Sequence, residues 1–189
     1  MDILPTLLVF APTRRAASET FIRANLSGLP FQTHAYFGDE RSFVNPLRLL
    51  YGVSILISKG LTRIGLLHFS SLPGSLVALL LVKYHKPDVL LAEFGFHAIR
   101  VMNVASWSGV PLVVHFRGSD VSSESKFSRQ KENYRILTRL AAAFIVKSIP
   151  MSNTLKDLGA PCEWILISPS GANSAFFYGS SPKTAPPLI

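Results

Sequence analysis

Residues 86–122 constrain the fold more strongly than any other part of the chain. They contain two runs of almost continuously apolar residues, 89–94 and 112–116, separated by a segment long enough for a helix. Such runs are typical of parallel strands that are buried on both faces of a sheet, whereas half-exposed strands alternate between apolar and polar residues. Two buried strands joined by a helical crossover, predicted over residues 96–107, therefore indicate one βαβ unit.

Polar and flexible residues follow both of these predicted strands. The carboxyl ends of parallel strands meet at one edge of the sheet, and ligands of open α/β sheets bind there, so these residues are expected to line a cleft. The candidate cleft residues from this unit are Glu93 and Gly95 at the end of the first strand, and Arg117, Gly118 and Asp120 after the second.

Further strands and helices are predicted on either side of the βαβ unit. Strands are predicted over residues 3–11, 31–37, 143–146 and 164–167, and helices within residues 46–84, 122–140 and 150–158. Alternation of apolar strands with helices is the pattern of an α/β protein. The predicted fold is α/β: a Rossmann-like, doubly wound parallel sheet with helices on both faces.

The loop after the first predicted strand supplies the other candidate residues. Ser18 is a favourable N-cap for a helix, and Glu19 adds negative charge to the first turn of that helix. The alternative is that Arg14, Ser18, Glu19 and Thr20 contact an anionic or polyhydroxyl ligand at the edge of the sheet. The loop lacks a GxGxxG motif, which disfavours a conventional dinucleotide-binding site.

Size and charge narrow the class of protein. A chain of 189 residues is long enough for one domain with a full hydrophobic core. Its net charge of +8 suits an anionic partner such as a nucleotide diphosphate or a phospholipid surface, although a solvated basic surface explains it equally well. Basic residues do not form a run of five or more, so a nucleic-acid partner is not expected. The single cysteine, Cys162, excludes an internal disulfide and a multi-cysteine zinc site.

The apolar segments of the sequence indicate where in the cell the protein is expected. Asp2 stands where a signal peptide requires positive charge and Pro5 interrupts the apolar run, so a cytoplasmic location is expected. The leucine-rich segments 47–57 and 72–82 are shorter than the ~18 apolar residues that span a bilayer. Their leucines, together with nearby basic residues, fit either packing against the sheet or peripheral contact with anionic lipid on the inner face of the membrane.

Four segments resemble, in the same order, the amino-terminal half of retaining glycosyltransferases with the two-domain GT-B architecture. They are SETFI at 18–22, PDVLLAEFG at 87–95, GVPLVVHFRGSD at 109–120, and the strand and loop from Phe144 to Phe177. The likeness is to the glycosyltransferase family 4-like enzymes that build exopolysaccharides and lipopolysaccharides. The four segments together span nearly the whole chain.

The resemblance implies that residues 1–179 form a Rossmann-like domain that binds a glycan or a lipid-linked sugar acceptor. Residues 180–189 would then be a linker or the start of a second domain, which in this family binds the nucleotide-sugar donor. The implied reaction is transfer of the sugar with retention of configuration, without a metal or another cofactor. On this interpretation the chain is cut at the domain boundary, is inactive alone, and contains no residue that can be named as catalytic.

Three positions depart from the pattern of this family. Glu93 and Arg117 both stand where its members commonly have His, and Arg117 cannot act as a base because a guanidinium stays protonated. Glu93 is either an acceptor-binding carboxylate or a strand-end residue, and Arg117 is suited to hold a phosphate or a sugar hydroxyl. Asn173 replaces Asp, whereas Asp120 is retained and either caps the following helix or binds ligand.

Two other functions stay open beside the one that the resemblance implies. The first is a noncatalytic partner subunit that docks a separate donor domain or an anionic membrane surface through the leucine-rich region. The second is an unrelated Rossmann-like nucleotide-binding enzyme, which the absence of both GxGxxG and a P-loop motif disfavours.

Overall fold

Six strands form one parallel β-sheet. The computed structural model describes residues 4–14, 22, 26, 28–41, 43–121 and 124–169, and the sheet lies within them. Its strands are β1 (Thr6–Ala11), β2 (Gln32–Phe37), β3 (Val89–Glu93), β4 (Leu112–His115), β5 (Ala143–Val146) and β6 (Ile165–Ile167). Their order is β2-β1-β3-β4-β5-β6, and every neighbouring pair is parallel, so all six carboxyl ends lie at one edge.

Helices connect these strands and cover the sheet. They are α1 (Pro46–Arg63), α2 (Leu72–His85), α3 (Gly95–Ala98), α4 (Asn103–Ser108), α5 (Gly118–Val121), α6 (Glu124–Arg129), α7 (Lys131–Leu140) and α8 (Ile149–Asp157). The start of α1 is fixed by Asn45, whose side chain accepts a hydrogen bond from the backbone N–H of Arg48, and by Pro46 in the first turn. The prediction of a Rossmann-like α/β fold is confirmed.

The sheet divides the core into two layers, because successive strand side chains point to opposite faces. Phe10 and Val114 point to the first face, where they belong to a large cluster that includes buried residues of α1, α2, α4 and α7. Val9 and Leu91 point to the second face, where Leu26 packs against them. Both faces of the central strands are therefore buried, as their continuously apolar sequences predict.

Two predicted helices are divided in the structure. The crossover predicted as one helix over 96–107 forms α3 and α4, separated by a turn at 99–102 in which every residue is buried. A single surface helix would have turned some of these residues towards solvent. The helix predicted over 122–140 is divided at Gln130, where the backbone has a φ of −109° and a ψ of 10°. The rings of Phe127 and Tyr134 stack across this break, with centroids 5.2 Å apart.

One segment of the described chain is long and apolar enough to cross a membrane, which corrects the expectation that no segment is. It is Leu67–His85, which comprises the short 3-10 helix Leu67–Phe69 and α2. The core helix of a globular protein meets the same criteria of length and composition. Here α2 packs against α1 and α4, and it buries Val77, Ala78 and Leu81 in the first-face cluster, as a core helix does.

Helix α2 approaches the turn at 99–102 so closely at Gly74 that there is no space for a side chain. A Cβ on Gly74 would lie 2.4 Å from the backbone oxygen of Arg100. We expect Gly74→Ala to lower the free energy of unfolding by about 1–3 kcal/mol, because backbone atoms have to move. Urea denaturation measures this change.

Gly60→Ala is the matched control. Gly60 also lies in a helix, α1, but a Cβ there would meet nothing within 4 Å. Alanine at this position should stabilise the protein by about 0.5–1 kcal/mol, because it loses less backbone entropy on folding than glycine does. Similar effects of the two substitutions would contradict the close packing at Gly74.

Candidate functional site

The ends of β3 and β4 bring polar side chains together at the carboxyl edge of the sheet. Glu93 and His115 are the last residues of these strands and are paired in register. Glu93 points to the second face of the sheet, as Leu91 does two residues before it. The side chain of Glu93 is only 1% exposed, so its carboxylate needs partners inside the protein.

Arg117 and His115 supply these partners. The Nε and Nη2 atoms of Arg117 donate to Oε2 of Glu93 at 3.2 and 2.9 Å, and Nδ1 of His115 lies 3.3 Å from the same oxygen. Burial alone would raise the pKa of Glu93, but hydrogen bonds and charges from His115 and Arg117 outweigh it and hold the pKa below its ordinary value. Glu93 is therefore ionised at neutral pH and forms a buried ion pair with Arg117.

Asp120 joins the loops that follow β3 and β4. Its Oδ1 accepts a hydrogen bond from the backbone N–H of Phe96 at 2.9 Å, and its Oδ2 accepts one from the N–H of Arg117 at 2.8 Å. Burial raises the pKa of Asp120 to about 6, although the backbone donors and the charge of Arg117 act in the opposite direction. Both oxygens of this carboxylate thus face the protein's own backbone, where they link the two loops.

Gly95 lets the loop after β3 pass close to an aromatic ring. A Cβ on Gly95 would lie 2.5 Å from Cζ of Phe116, which is fully buried. The preceding residue, Phe94, has a φ of 69°, which is uncommon for a residue with a side chain, and its N–H donates to the carbonyl of His115 at 2.9 Å. Gly118, in contrast, is exposed at the start of α5, where a Cβ would meet nothing within 4 Å.

Arg14 lies at a different part of the carboxyl edge. It follows β1, and its Nη1 donates to Oε1 of Glu40 at 3.0 Å, as does Nη1 of Arg48. Its backbone N–H donates to the carboxylate of Asp39 at 2.9 Å. Arg14 is thus tied to the loop after β2. The structure brings the other described candidates together at the ends of β3 and β4: Glu93, Gly95, Arg117, Gly118 and Asp120.

The remaining candidates, Ser18, Glu19 and Thr20, lie outside the described residues. Of the helix predicted to start near them, Ile22 and Leu26 are described, and both have helical backbone. Ile22 is fully buried and packs against the ends of β1 and β2. The roles predicted for Ser18, Glu19 and Thr20 stay predictions.

Sequence reasoning missed two residues at this edge. Lys147 lies two residues after Ile145, which pairs in register with His115, so it follows β5 beside the ion pair at the end of β4. Burial lowers the pKa of Lys147, nearby Arg117 lowers it further and Glu93 raises it. Lys147 directly follows β5, and that position after a strand is a signal that could have identified it. His115 gave no comparable signal, because it lies within an apolar run. Its Nε2 is buried and has no hydrogen-bond partner in the described part of the chain.

Charged groups of both signs lie at this edge. The carboxylates of Glu93 and Asp120 are bound by the protein itself, whereas Lys147 is partly exposed and its ammonium is suited to an anionic or polyhydroxyl ligand. Among the described residues, no group of three His, Cys, Asp or Glu side chains is arranged to hold a metal ion.

The fold is similar to one half of several solved proteins. The UDP-N-acetylglucosamine 2-epimerase from Rickettsia bellii matches with a TM-score of 0.57 and 12% identity, over 88% of this chain and 45% of the epimerase. MnaA from S. aureus, solved with UDP, matches with a TM-score of 0.55 and 11% identity, over 87% and 44%. HepE from Anabaena, in complex with UDP, matches with a TM-score of 0.52 and 13% identity, over 89% and 44%.

The chain spans less than half the length of these proteins. At such low identities the likeness establishes the fold alone, which is that of one Rossmann-like half of a GT-B-like protein. No family model and no curated protein matches the sequence.

Replacing Glu93 tests the buried ion pair. Glu93→Gln removes the negative charge of the buried ion pair with little change of shape, so the free energy of unfolding should fall by about 3–5 kcal/mol at neutral pH. The folded pKa of Glu93 is lowered, so its contribution is present above the ordinary value of 4.5 and is lost as the pH falls through the folded value. The difference in the free energy of unfolding between the wild type and Glu93→Gln should therefore become smaller at acid pH.

Glu132→Gln is the control for this experiment. Glu132 forms an exposed ion pair with Arg135 at 3.2 Å, and its loss should cost less than about 1 kcal/mol. Urea unfolding of both variants from neutral to acid pH gives the comparison. A destabilisation by Glu93→Gln that does not change with pH would contradict the buried ion pair.

Proposed function

We propose that this chain is the acceptor-binding half of a glycosyltransferase built from two Rossmann-like domains. In this proposal the described sheet binds a glycan or a lipid-linked sugar acceptor. A second domain binds the nucleotide-sugar donor, and the sugar is transferred with retention of configuration, as the resemblance to the family 4-like enzymes implies.

The carboxyl edge around Glu93 is the observation that carries this proposal. The loops after β3, β4 and β5 meet there, at the place where open α/β sheets bind ligands. The ion pair of Glu93 with Arg117 and the link made by Asp120 fix two of these loops. Lys147 is partly exposed beside them, and its ammonium has three N–H donors suited to hydroxyl or phosphate oxygens.

The similar structures support a UDP-sugar as the donor. MnaA and HepE were both solved with UDP, and each is about twice as long as the part that this chain matches. During transfer, the bond between the anomeric carbon and the diphosphate oxygen breaks, a bond to the acceptor oxygen forms, and the proton of the acceptor hydroxyl passes to the departing diphosphate. In this proposal the partly exposed ammonium of Lys147 favours the negative charge that develops on the leaving diphosphate.

Saccharide binding by the 189-residue chain tests this proposal. A panel of oligosaccharides and glycolipids, screened by saturation-transfer NMR, should give a ligand that Lys147→Met binds about 10-fold more weakly, because a charge-assisted hydrogen bond is lost. Lys156→Met, at an exposed position of α8, is the matched control and should bind like the wild type. With UDP-sugars added and no second domain, we expect no release of UDP.

Two results would contradict the proposal. Tight binding of free UDP by this chain alone would favour a nucleotide-binding enzyme of another kind. Equal weakening of saccharide binding by Lys147→Met and Lys156→Met would mean that the carboxyl edge is not the binding site.

Docking on an anionic membrane surface is a second candidate function, and the surface of α1 and α2 favours it. Residues 41–87 contain no Asp or Glu, although Arg48, Lys59, Arg63 and Lys83 lie among them. The large apolar side chains exposed on this surface include Leu56, Ile57, Ile64, Leu66, Phe69, Leu76, Leu80 and Tyr84. An apolar surface with cations and no carboxylates is suited to anionic phospholipid.

Leu80→Glu tests this docking surface. Leu80 is 52% exposed, and a negative charge there should reduce co-sedimentation with vesicles that contain phosphatidylglycerol, because it repels the lipid and removes apolar contact. The control is Leu166→Glu, at a 62% exposed leucine of β6. Equal losses in the two variants, or sedimentation that does not depend on anionic lipid, would rule out this surface.

A further inference from the structure

A second group of polar residues is buried on the opposite face of the sheet from Glu93. Tyr51 of α1 packs on Phe10 in the first-face core, with ring centroids 5.4 Å apart, and its hydroxyl lies 2.7 Å from Nε2 of His97. Arg100 follows His97 by one turn, and its N–H donates to the carbonyl of His97. Ser58 lies on the same side of α1 as Tyr51, two turns further along.

Arg100 carries a buried positive charge without a carboxylate partner in the described part of the chain. The residue is 9% exposed, its Nη1 donates to the carbonyl of Phe96, and its guanidinium lies 5.9 Å from the centroid of the Phe96 ring. Its Nε has no hydrogen-bond partner among the residues that the structure describes. A buried charge that lacks a counter-charge is costly, and such charges normally bind an oppositely charged group.

Two further buried atoms, one on α1 and one on α3, also lack a partner. Ser58 and His97 are fully buried, and neither Oγ of Ser58 nor Nδ1 of His97 has a hydrogen-bond partner among the described residues. Burial and the nearby cations hold the pKa of His97 well below its ordinary value, so the imidazole is neutral and Nδ1 can carry a proton to donate. Ile55, one turn before Ser58 in α1, lies within 4 Å of the Cβ position of Gly38, as His97 does, and of the Cβ position of Gly74, as the Arg100 carbonyl does. The three potential donors therefore lie in one region of the first-face core, and no described residue satisfies them.

The charges around these atoms are predominantly positive. Lys59, next to Ser58, is exposed, and its pKa is lowered by partial burial and by the charges of Arg100 and Arg41, while Asp39 raises it. The charge of Lys59 also lowers the pKa of His97. Its exposure shows the side from which a ligand can approach, and its ammonium adds a second full positive charge to that of Arg100.

We propose that Ser58, Lys59, His97 and Arg100 form a binding site for a phosphate group, separate from the carboxyl edge around Glu93. Two cations match the charge of a phosphate monoester dianion, and the hydroxyl, imidazole and guanidinium donors match its oxygen acceptors. A carboxylate would neutralise only one of the two cations. The phosphate group belongs either to a soluble ligand or to a lipid headgroup brought by the apolar surface of α1, which carries Lys59. This inference does not depend on the glycosyltransferase proposal.

Thermal unfolding in inorganic phosphate tests the site, with chloride at equal ionic strength as the reference. Phosphate should raise the unfolding temperature of the wild-type chain, because a ligand that binds only the folded state stabilises it. Arg100→Met should lose this response. Without phosphate, Arg100→Met should be at least as stable as the wild type, because an apolar side chain of similar length replaces an unpaired buried charge.

Two more variants keep the test decisive. Ser58→Ala removes one donor with little change of shape and should weaken the response to phosphate. Arg139→Met, at an exposed position of α7, changes the net charge equally and should respond like the wild type. A wild-type chain that does not respond to phosphate, or equal responses of Arg100→Met and Arg139→Met, would overturn the proposal, and so would a lower stability of Arg100→Met without phosphate.

Vesicles distinguish the two sources of the phosphate group. Phosphatidylcholine vesicles with phosphatidic acid present a phosphate monoester, and vesicles without it do not. Binding that requires both phosphatidic acid and Arg100 indicates a lipid headgroup, whereas a response to inorganic phosphate without vesicle binding indicates a soluble ligand. Neither arm uses a saccharide or a Lys147 variant, so failure here is distinguishable from failure of the proposed acceptor site.

Discussion

The carboxylate of Glu93 is the group on which the arrangement of the carboxyl edge depends. It is buried at the end of β3, where an isolated negative charge would be strongly unfavourable. Arg117, two residues beyond β4, and His115, the last residue of β4, both direct nitrogen atoms at one of its oxygens. The buried charge of Glu93 at the end of β3 therefore requires Arg117 from the loop after β4. The loops after β3 and β4 cannot move independently without separating this buried ion pair.

Asp120 also links the loops after β3 and β4. Its pKa is raised to about 6, whereas that of Glu93 is lowered, although both side chains are buried. The difference arises because Glu93 interacts with the side chains of His115 and Arg117, whereas Asp120 has chiefly backbone donors. The two carboxyl groups thus contribute oppositely to the pH dependence of folding, since the contribution of Asp120 is present below its ordinary pKa of 3.8 and is lost as the pH rises through about 6.

Strands were the most predictable part of the molecule, because a buried parallel strand is a short, continuously apolar run with clear ends. The limits of β5 agree with the prediction, and those of the other strands differ by three residues or fewer. Helix interruptions were not predictable: the turn at 99–102 is buried on all sides, and Gln130 is not a residue type that ends helices. Periodicity describes one apolar face and carries no information on such segments.

The candidate site was predictable in its location and less so in its chemistry. Glu93 and Arg117 were each identified from their positions after strands, and each departs from the family that the chain resembles. Glu93 and Arg117 are partners in one ion pair because of the register in which β3 pairs with β4. This register cannot be derived from the sequence alone. His97 and Arg100 were not recognised, because nothing in the sequence distinguishes a buried arginine without a carboxylate from a solvated one.

A double-mutant cycle on Glu93 and Arg117 is the most direct measurement of the central interaction. Unfolding free energies in urea are needed for the wild type, Glu93→Gln, Arg117→Met and the double variant at neutral pH. If the buried ion pair joins the two strand ends, the double variant will be more stable than the sum of the single effects predicts, with a coupling of at least about 1 kcal/mol. Additive effects within experimental error would show that the two loops are held by something else.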